Sequence, residues 1–354
     1  MRCGPRSAVA GGLALLVISF ISETRILAKE GEELGEIEVN GFDGDHATVN
    51  CAATPGGQIV QVTTKSVRLI DGASTRLLHE WTPPGGGDIS MAAIEKSLVL
   101  LATSGTQLQL LDCSGDGWTV LASMVMDHEV ACLAICSSHT PTDCTAMQTD
   151  DDVVRAGNDN QVVAGNDNHS IPTLAACGLW TDLSIRLLTL PALEQVHHEP
   201  LSGNVIPRAL CFAAFGDGQH LLCALGDGRM ITYCVINSAT SDDTTPTTAP
   251  RGSSSSSPCS LADRKVVTIG TKPISLTPFR SHGDLHVFAA SDRPTVLHAN
   301  SSGKLLYSNV DLKAATHMTP FPCDADVRSR PERVSLSLCL PDALTLTLPS
   351  SSAR

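Results

Sequence analysis

The sequence predicts an all-β fold, a seven-bladed, WD-like β-propeller, on three observations. Short apolar runs alternate with Gly, Asp and Ser corners across the 354 residues. Hairpin starts recur at a near-constant spacing. No window of helical length holds an apolar i, i+3, i+4 stripe free of Gly or Pro, residues 23–38 coming nearest.

The first hairpin starts at Leu16, and its apolar run passes through Ser22-Glu23 into Thr24-Arg25-Ile26-Leu27 as a turn and a second strand. Residues 59–63 are followed across Thr64-Lys65 by 66–70, then Asp71-Gly72, then 76–81. Residues 98–103 turn at Ser104-Gly105 into 106–112, then through Ser114-Gly115-Asp116-Gly117 into 118–124. Residues 220–225 turn at Gly226-Asp227-Gly228 into 229–236. From Leu16 to Ile59 is 43 residues, from Ile59 to Leu98 is 39, and from Leu174 to His220 is 46. These intervals match the roughly 40–45-residue period of a four-stranded propeller blade.

Two intervals are too long, 76 residues from Leu98 to Leu174 and 65 from His220 to Leu285. Each holds a polar stretch to be looped out. Residues 137–170 contain Gly157-Asn158-Asp159-Asn160 and its repeat Gly165-Asn166-Asp167-Asn168, and residues 237–260 contain Thr244-Thr245-Pro246 and a serine run at 253–257. Such stretches lack the apolar side chains that offset the entropy of ordering, so both are expected to be mobile loops outside the core. The last unit alternates leucine with hydroxyls at Val334-Ser335-Leu336-Ser337-Leu338 and Leu344-Thr345-Leu346-Thr347-Leu348. Starts near 16, 59, 98, 174, 220, 285 and 334 give seven units in one domain, residues 13–348, with an unassigned start at 1–12 and a tail at 349–354. The first unit has no inner strand ahead of Leu16 and the last ends before an outer strand. The ring is therefore expected to be incomplete at both ends and the isolated chain to oligomerise through open edges.

Composition agrees with a folded, protein-binding module. Apolar residues make up 42% and charged residues 17%, and the net charge of −13 offers a polyphosphate partner no general attraction. Thirteen cysteines are an odd number in a large chain, and Cys177, Cys211, Cys223 and Cys339 sit inside apolar runs, where a reduced thiol behaves as a small hydrophobe. The start imitates a secretory signal, with two arginines within residues 1–7, an apolar stretch at 8–21 and two sequons at Asn168 and Asn300. No Ala-x-Ala site follows it, and the run is shorter than the ~20 residues of a membrane span.

The constellations that suggest chemistry fail on spacing. Asp127-His128-Glu129 with Ser123 is a proximity in sequence, not a triad, and reads as a turn entering the next strand. Cys132, Cys136, Cys144 and His139 have zinc-binding residue types, but strand positions four apart lie ~13 Å from each other. His197-His198 point to opposite faces of a strand. Gly226-Asp227-Gly228 and Asp116-Gly117 are hairpin corners, not nucleotide loops. Trp81, Trp118 and Trp180 are read as core aromatics or interface anchors, with Trp180 leaning to a structural role beside an Asp-capped turn at Asp182. No catalytic, cofactor or metal residues are assigned, no cofactor is expected, and interface positions are left open.

Particular strings carry a resemblance. His128-Glu129-Val130-Ala131-Cys132-Leu133, Gly178-Leu179-Trp180-Thr181-Asp182, Leu221-Leu222-Cys223-Ala224-Leu225-Gly226-Asp227-Gly228, Ser291-Asp292-Arg293-Pro294-Thr295-Val296 and Ser308-Asn309-Val310-Asp311-Leu312-Lys313 resemble the large-subunit family of the damaged-DNA-binding complex, collinearly from about Leu16 to Leu348. That family comprises three-propeller adaptors of cullin-4 RING ubiquitin ligases acting in nucleotide-excision repair. The resemblance implies a non-catalytic scaffold in the nucleus, and also the cytoplasm, that docks a cullin-4-type partner through its middle propeller. Substrate receptors are implied to engage flanking propellers, and nucleic acid only within a complex. The alternatives are a splicing or polyadenylation propeller subunit and, from another class, a secreted β-propeller hydrolase.

Overall fold

The computed structural model describes residues 5–10, 13–30, 33–136, 174–216, 218–237, 259–281, 283–322, 334–339 and 344–346. They form antiparallel sheets whose strands run outward in chain order. The first sheet holds β1 (Pro5–Ala10), β2 (Leu13–Ser19), β3 (Thr24–Glu30) and β4 (Glu33–Glu36), and the second β5 (Thr48–Ala53), β6 (Ile59–Thr63), β7 (Val67–Ile70) and β8 (Leu77–Trp81). The third holds β9 (Ile89–Glu95), β10 (Leu98–Thr103), β11 (Gln107–Asp112) and β12 (Thr119–Val125), and the fourth β13 (Val130–Cys136), β14 (Leu174–Leu179), β15 (Ser184–Thr189) and β16 (Gln195–Pro200). The fifth holds β17 (Pro207–Phe215), β18 (Gly218–Leu225), β19 (Arg229–Asn237) and β20 (Cys259–Thr268), and the sixth β21 (Ser275–Ser281), β22 (Asp284–Ala290), β23 (Thr295–Ala299) and β24 (Leu305–Asn309). A last sheet holds β25 (His317–Pro322), β26 (Val334–Cys339) and β27 (Leu344–Leu346).

The fold is thus an all-β propeller with six complete four-stranded blades, where the repeat spacing predicts seven. The last sheet has three strands among the described residues. The innermost strands adjoin in a circle, β1 beside β5, then β9, β13, β17, β21 and β25, with β25 again beside β1. This corrects the expectation that the first sheet lacks an inner strand: β1 fills that place, pairing Pro5 with Ile18 through Ala10 with Leu13. The open inner edge expected at the first sheet falls with that correction. The hairpin starts read from sequence coincide with the second strands, which begin at Ile59, Leu98, Leu174 and Val334 and contain Leu16, His220 and Leu285.

Packing follows from this stacking. A second strand has sheets on both faces, so it is apolar on both, and every residue of β6 and β14 is buried. The outer strand β8 is exposed at four of its five positions. Core clusters lie between neighbouring blades, for example Leu15 and Val17 with Ile59 and Ile70, or Ile185 and Leu187 with Leu221 and Ile231. The buried Gln61 in β6 is fully satisfied: its Nε2 donates to the Asp43 carbonyl and to Thr48 Oγ1, both at 2.9 Å, while its Oε1 accepts the Asp43 N–H at 2.8 Å.

Nine cysteines among the described residues are free thiols, eight of them buried. Burial pushes the Cys211 thiol up to about 12 and raises Cys177 and Cys223 as well, so all three are held protonated.

The antiparallel order sorts the connections onto two faces. Face A carries the turns between second and third strands and the connections from blade to blade. Face B carries those between first and second and between third and fourth strands. Both polar insertions leave on face B, from Cys136 to Leu174 in the fourth blade and from Asn237 to Cys259 in the fifth. Asn237, Cys259 and Ser260, read from sequence as loop, are strand residues, and the expected mobile segments between these roots lie outside the described residues. The roots pack together, with Cys136, Leu174 and Cys259 buried in one small cluster.

Candidate protein-interaction face

Face A is built of short, tightly hydrogen-bonded turns. In the fifth blade Gly228 sits at φ +83°, and a Cβ there would run into the Gly270 backbone of the next connection, so the corner requires glycine.

The most elaborate of these turns follows β14. The apolar run Leu174–Leu179 ends at Trp180, where the chain bends through Thr181, Asp182 and Leu183 into β15. The Trp180 N–H donates to the Glu129 carbonyl at 2.8 Å and the Leu201 N–H to the Leu183 carbonyl at 2.8 Å, tying the bend to the connections on either side. His128 Nδ1 and Thr181 Oγ1 share a 2.8 Å hydrogen bond. Asp182 accepts from Ser184 Oγ and, at 2.7 Å, from Arg186 Nη2, with His198 Nε2 3.6 Å away. The Ser184 hydroxyl first, then the Arg186 guanidinium, outweigh burial and hold the Asp182 carboxyl below the usual carboxylate range.

With its backbone fixed, the Trp180 indole stands 43% exposed. This corrects the lean toward a structural tryptophan. The Asp cap is present as expected, but the ring lies outside the core, whereas Trp81 and Trp118 pack against the cluster between the second and third blades. Val125, 71% exposed, ends β12 just before the connection, and Asp127 and Glu129 on that connection are exposed. A second apolar point on face A is the turn after β2, with Phe20 at 44% and Ile21 at 86% exposed and Arg25 over the Phe20 ring at 5.5 Å.

The constellations weighed for chemistry are placed as follows. His128 is turned to Thr181, and Ser123 instead pairs with Gln107 Nε2 at 3.5 Å. Cys132 and Cys136 belong to different core clusters, while His139 and Cys144 lie outside the described residues. Among the described residues no three or more His, Cys, Asp or Glu are grouped to hold a metal ion. His197 faces Glu199 and His198 faces Asp182, each at 3.6 Å, on opposite sides of β16. The inner strands line an axial channel of about 500 Å³.

Comparison with known proteins finds that residues 13–325 match the RSE1/DDB1/CPSF1 second beta-propeller family. The chain is 38% identical over 307 residues to DNA damage-binding protein 1 of Oryza sativa subsp. japonica, and 40% identical over the same length to DNA damage-binding protein 1a of Arabidopsis thaliana. DNA damage-binding protein 1 of Solanum lycopersicum is 38% identical. Each alignment covers 86% of this chain, which spans 24% of the length of these curated relatives.

Proposed function

The chain belongs to the RSE1/DDB1/CPSF1 second β-propeller family, and from that premise we propose that it is a non-catalytic docking propeller that binds a cullin-4-type scaffold in the nucleus, within a complex concerned with DNA damage. The resemblance to cullin-4 adaptors supports the partner, and the relatives, DNA damage-binding proteins, support the setting. The observation that carries the docking role is the Trp180 bend. An exposed indole on a backbone held by Glu129, Asp182 and Arg186 is a preorganised anchor, and such aromatic anchors dominate interface energies. Exposed Asp127 and Glu129 beside it favour a partner that brings Lys or Arg to the rim.

The test is calorimetric titration of the chain with the amino-terminal region of the cullin-4 homologue from the same organism. Binding at micromolar affinity or tighter is expected, and Trp180→Ala should weaken it roughly 30-fold, about 2 kcal/mol, as for an interface hot spot. An affinity unchanged by Trp180→Ala removes this face from the interface. No binding by the folded chain removes the cullin reading.

A further inference from the structure

Four inner strands carry an extra residue near their face A end, where the register to the second strand shifts. The residues passed over are Val49, Ser90, Ala131 and Arg208, so one site in four blades holds three small uncharged side chains and one guanidinium. A bulge residue leaves the alternation of the strand and is re-aimed by the local twist. Arg208 lines both the axial channel and an adjoining cavity of about 300 Å³ on face A, bounded by the connections into β21 and β25 and the turn after β22.

The charges around this cavity do not cancel. Its one lining carboxylate, Asp292, already accepts from Thr271 N–H at 2.9 and 3.1 Å, Thr271 Oγ1 at 2.7 Å and Lys272 N–H at 3.2 Å. Among the described residues Arg208 Nε is buried with no hydrogen-bond partner, and neither the Arg208 guanidinium nor the Lys272 ammonium is in an ion pair. The remaining wall is largely apolar, with Pro273, Ile274 and Ala315. Two unpaired cations over an apolar pocket, in a chain of net charge −13, call for an anionic ligand with an apolar part. A phosphate dianion is disfavoured by Asp292 and by the apolar wall, whereas a planar carboxylate matches one guanidinium.

We propose that this cavity binds a carboxylate on a short apolar stem, Arg208 and Lys272 taking the charge and Pro273, Ile274 and Ala315 the stem. The inference is independent of the scaffold's identity. The carboxylate could come from a free organic acid or from an acidic side chain in a docking peptide, and the two are separated by experiment.

The probe is the Arg208 Nε–H resonance of the ¹⁵N-labelled chain at pH 7.5, titrated with 3-methylbutanoate, its amide, and the capped tripeptide acetyl-Ala-Glu-Ala-amide. A saturable shift is expected with the acid at a dissociation constant on the order of millimolar, well within the ceiling for so few atoms. The amide should bind at least tenfold more weakly, and Lys272→Ala should weaken the acid about threefold. Tighter binding of the tripeptide assigns the site to a docking segment, and tighter binding of the free acid to a small molecule. Equal binding of acid and amide, or no saturable shift with either acid or tripeptide, overturns the proposal. The acid and amide comparison uses the unaltered chain, so it decides even if Arg208→Gln, expected to abolish binding, fails to fold.

Discussion

Two aspartates, Asp182 and Asp292, occupy equivalent turns on face A, two blades apart, and the contrast between them shows how one blade plan yields different surfaces. Asp182 looks along its own blade, accepting from Ser184 and Arg186, and so stiffens a bend that throws an indole outward. Asp292 looks across to the preceding connection, accepting from Thr271 and Lys272, and so holds open the rim of a cavity whose cations stay unpaired. A capped turn is thus a scaffold. What it presents depends on whether the cap bonds forward into its own sheet or back to its neighbour.

Removing the caps gives the largest expected effects and separates the two. The Arg186 side chain is 14% exposed, and Asp182→Ala leaves it, among the described residues, with Gln195 Oε1 at 3.2 Å, so a loss of roughly 2–3 kcal/mol is expected, discounted from a fully buried pair because Asp182 is partly exposed. Asp292→Ala frees exposed N–H groups that water can satisfy, and about 1 kcal/mol is expected. Urea melts of both variants measure the difference, and equal losses would break the comparison.

The presented groups should behave in the opposite sense from the caps. Trp180→Ala removes an exposed ring, so stability should change by less than about 0.5 kcal/mol while partner affinity falls. Arg208→Met replaces a buried donor that has no acceptor by an apolar stem of similar length, and a gain of about 1 kcal/mol is expected together with loss of carboxylate binding. Such a gain is the mark of a residue kept for binding at a cost in stability. A destabilised Arg208→Met chain would mean that the guanidinium has a structural partner.

The blade period was legible because each second strand is buried on both faces and reads as an unbroken apolar run, as Leu98–Thr103 and Leu174–Leu179 do. β1 was missed because Pro5–Ala10 and Leu13–Ser19 flank Gly11-Gly12 and read as one signal-like stretch, although Gly-Gly between apolar runs is itself a hairpin signal. The exposure of Trp180 was hidden by the apolar run it terminates: where a strand stops is decided by the Asp182 cap, not by hydropathy. Arg208 left only a faint trace, Pro207 at the head of a strand, since a bulge is defined by the register of Ala209 to Ala224 and Pro207 to Leu225, which no single segment contains.

The smallest expected effect tests the nature of the two caps. Both carboxyls are held below the ordinary ~3.9 of aspartate. For Asp292, burial pushes upward but is outweighed by the Thr271 hydroxyl and the Thr271 and Lys272 N–H groups. For Asp182, the Ser184 hydroxyl leads, followed by Arg186, with a Coulombic contribution from His128, and His198 stands 3.6 Å away. In either case the native state binds fewer protons than the unfolded chain between the two values. The stabilisation is therefore complete above the unfolded pKa and is lost as pH falls through the lowered one. The Asp182 carboxyl is lowered in part by the charge of Arg186 and a Coulombic contribution from His128, whereas the groups that lower Asp292 are neutral donors. Salt screens charges far more than hydrogen bonds between neutral donors and a carboxylate. Titrating both carboxyl resonances by NMR at low and at high sodium chloride should therefore raise the Asp182 pKa toward its ordinary value and leave Asp292 nearly in place. A larger salt response at Asp292 would mean that the Lys272 ammonium, not the backbone, holds that turn, and that this cation is not free for a ligand.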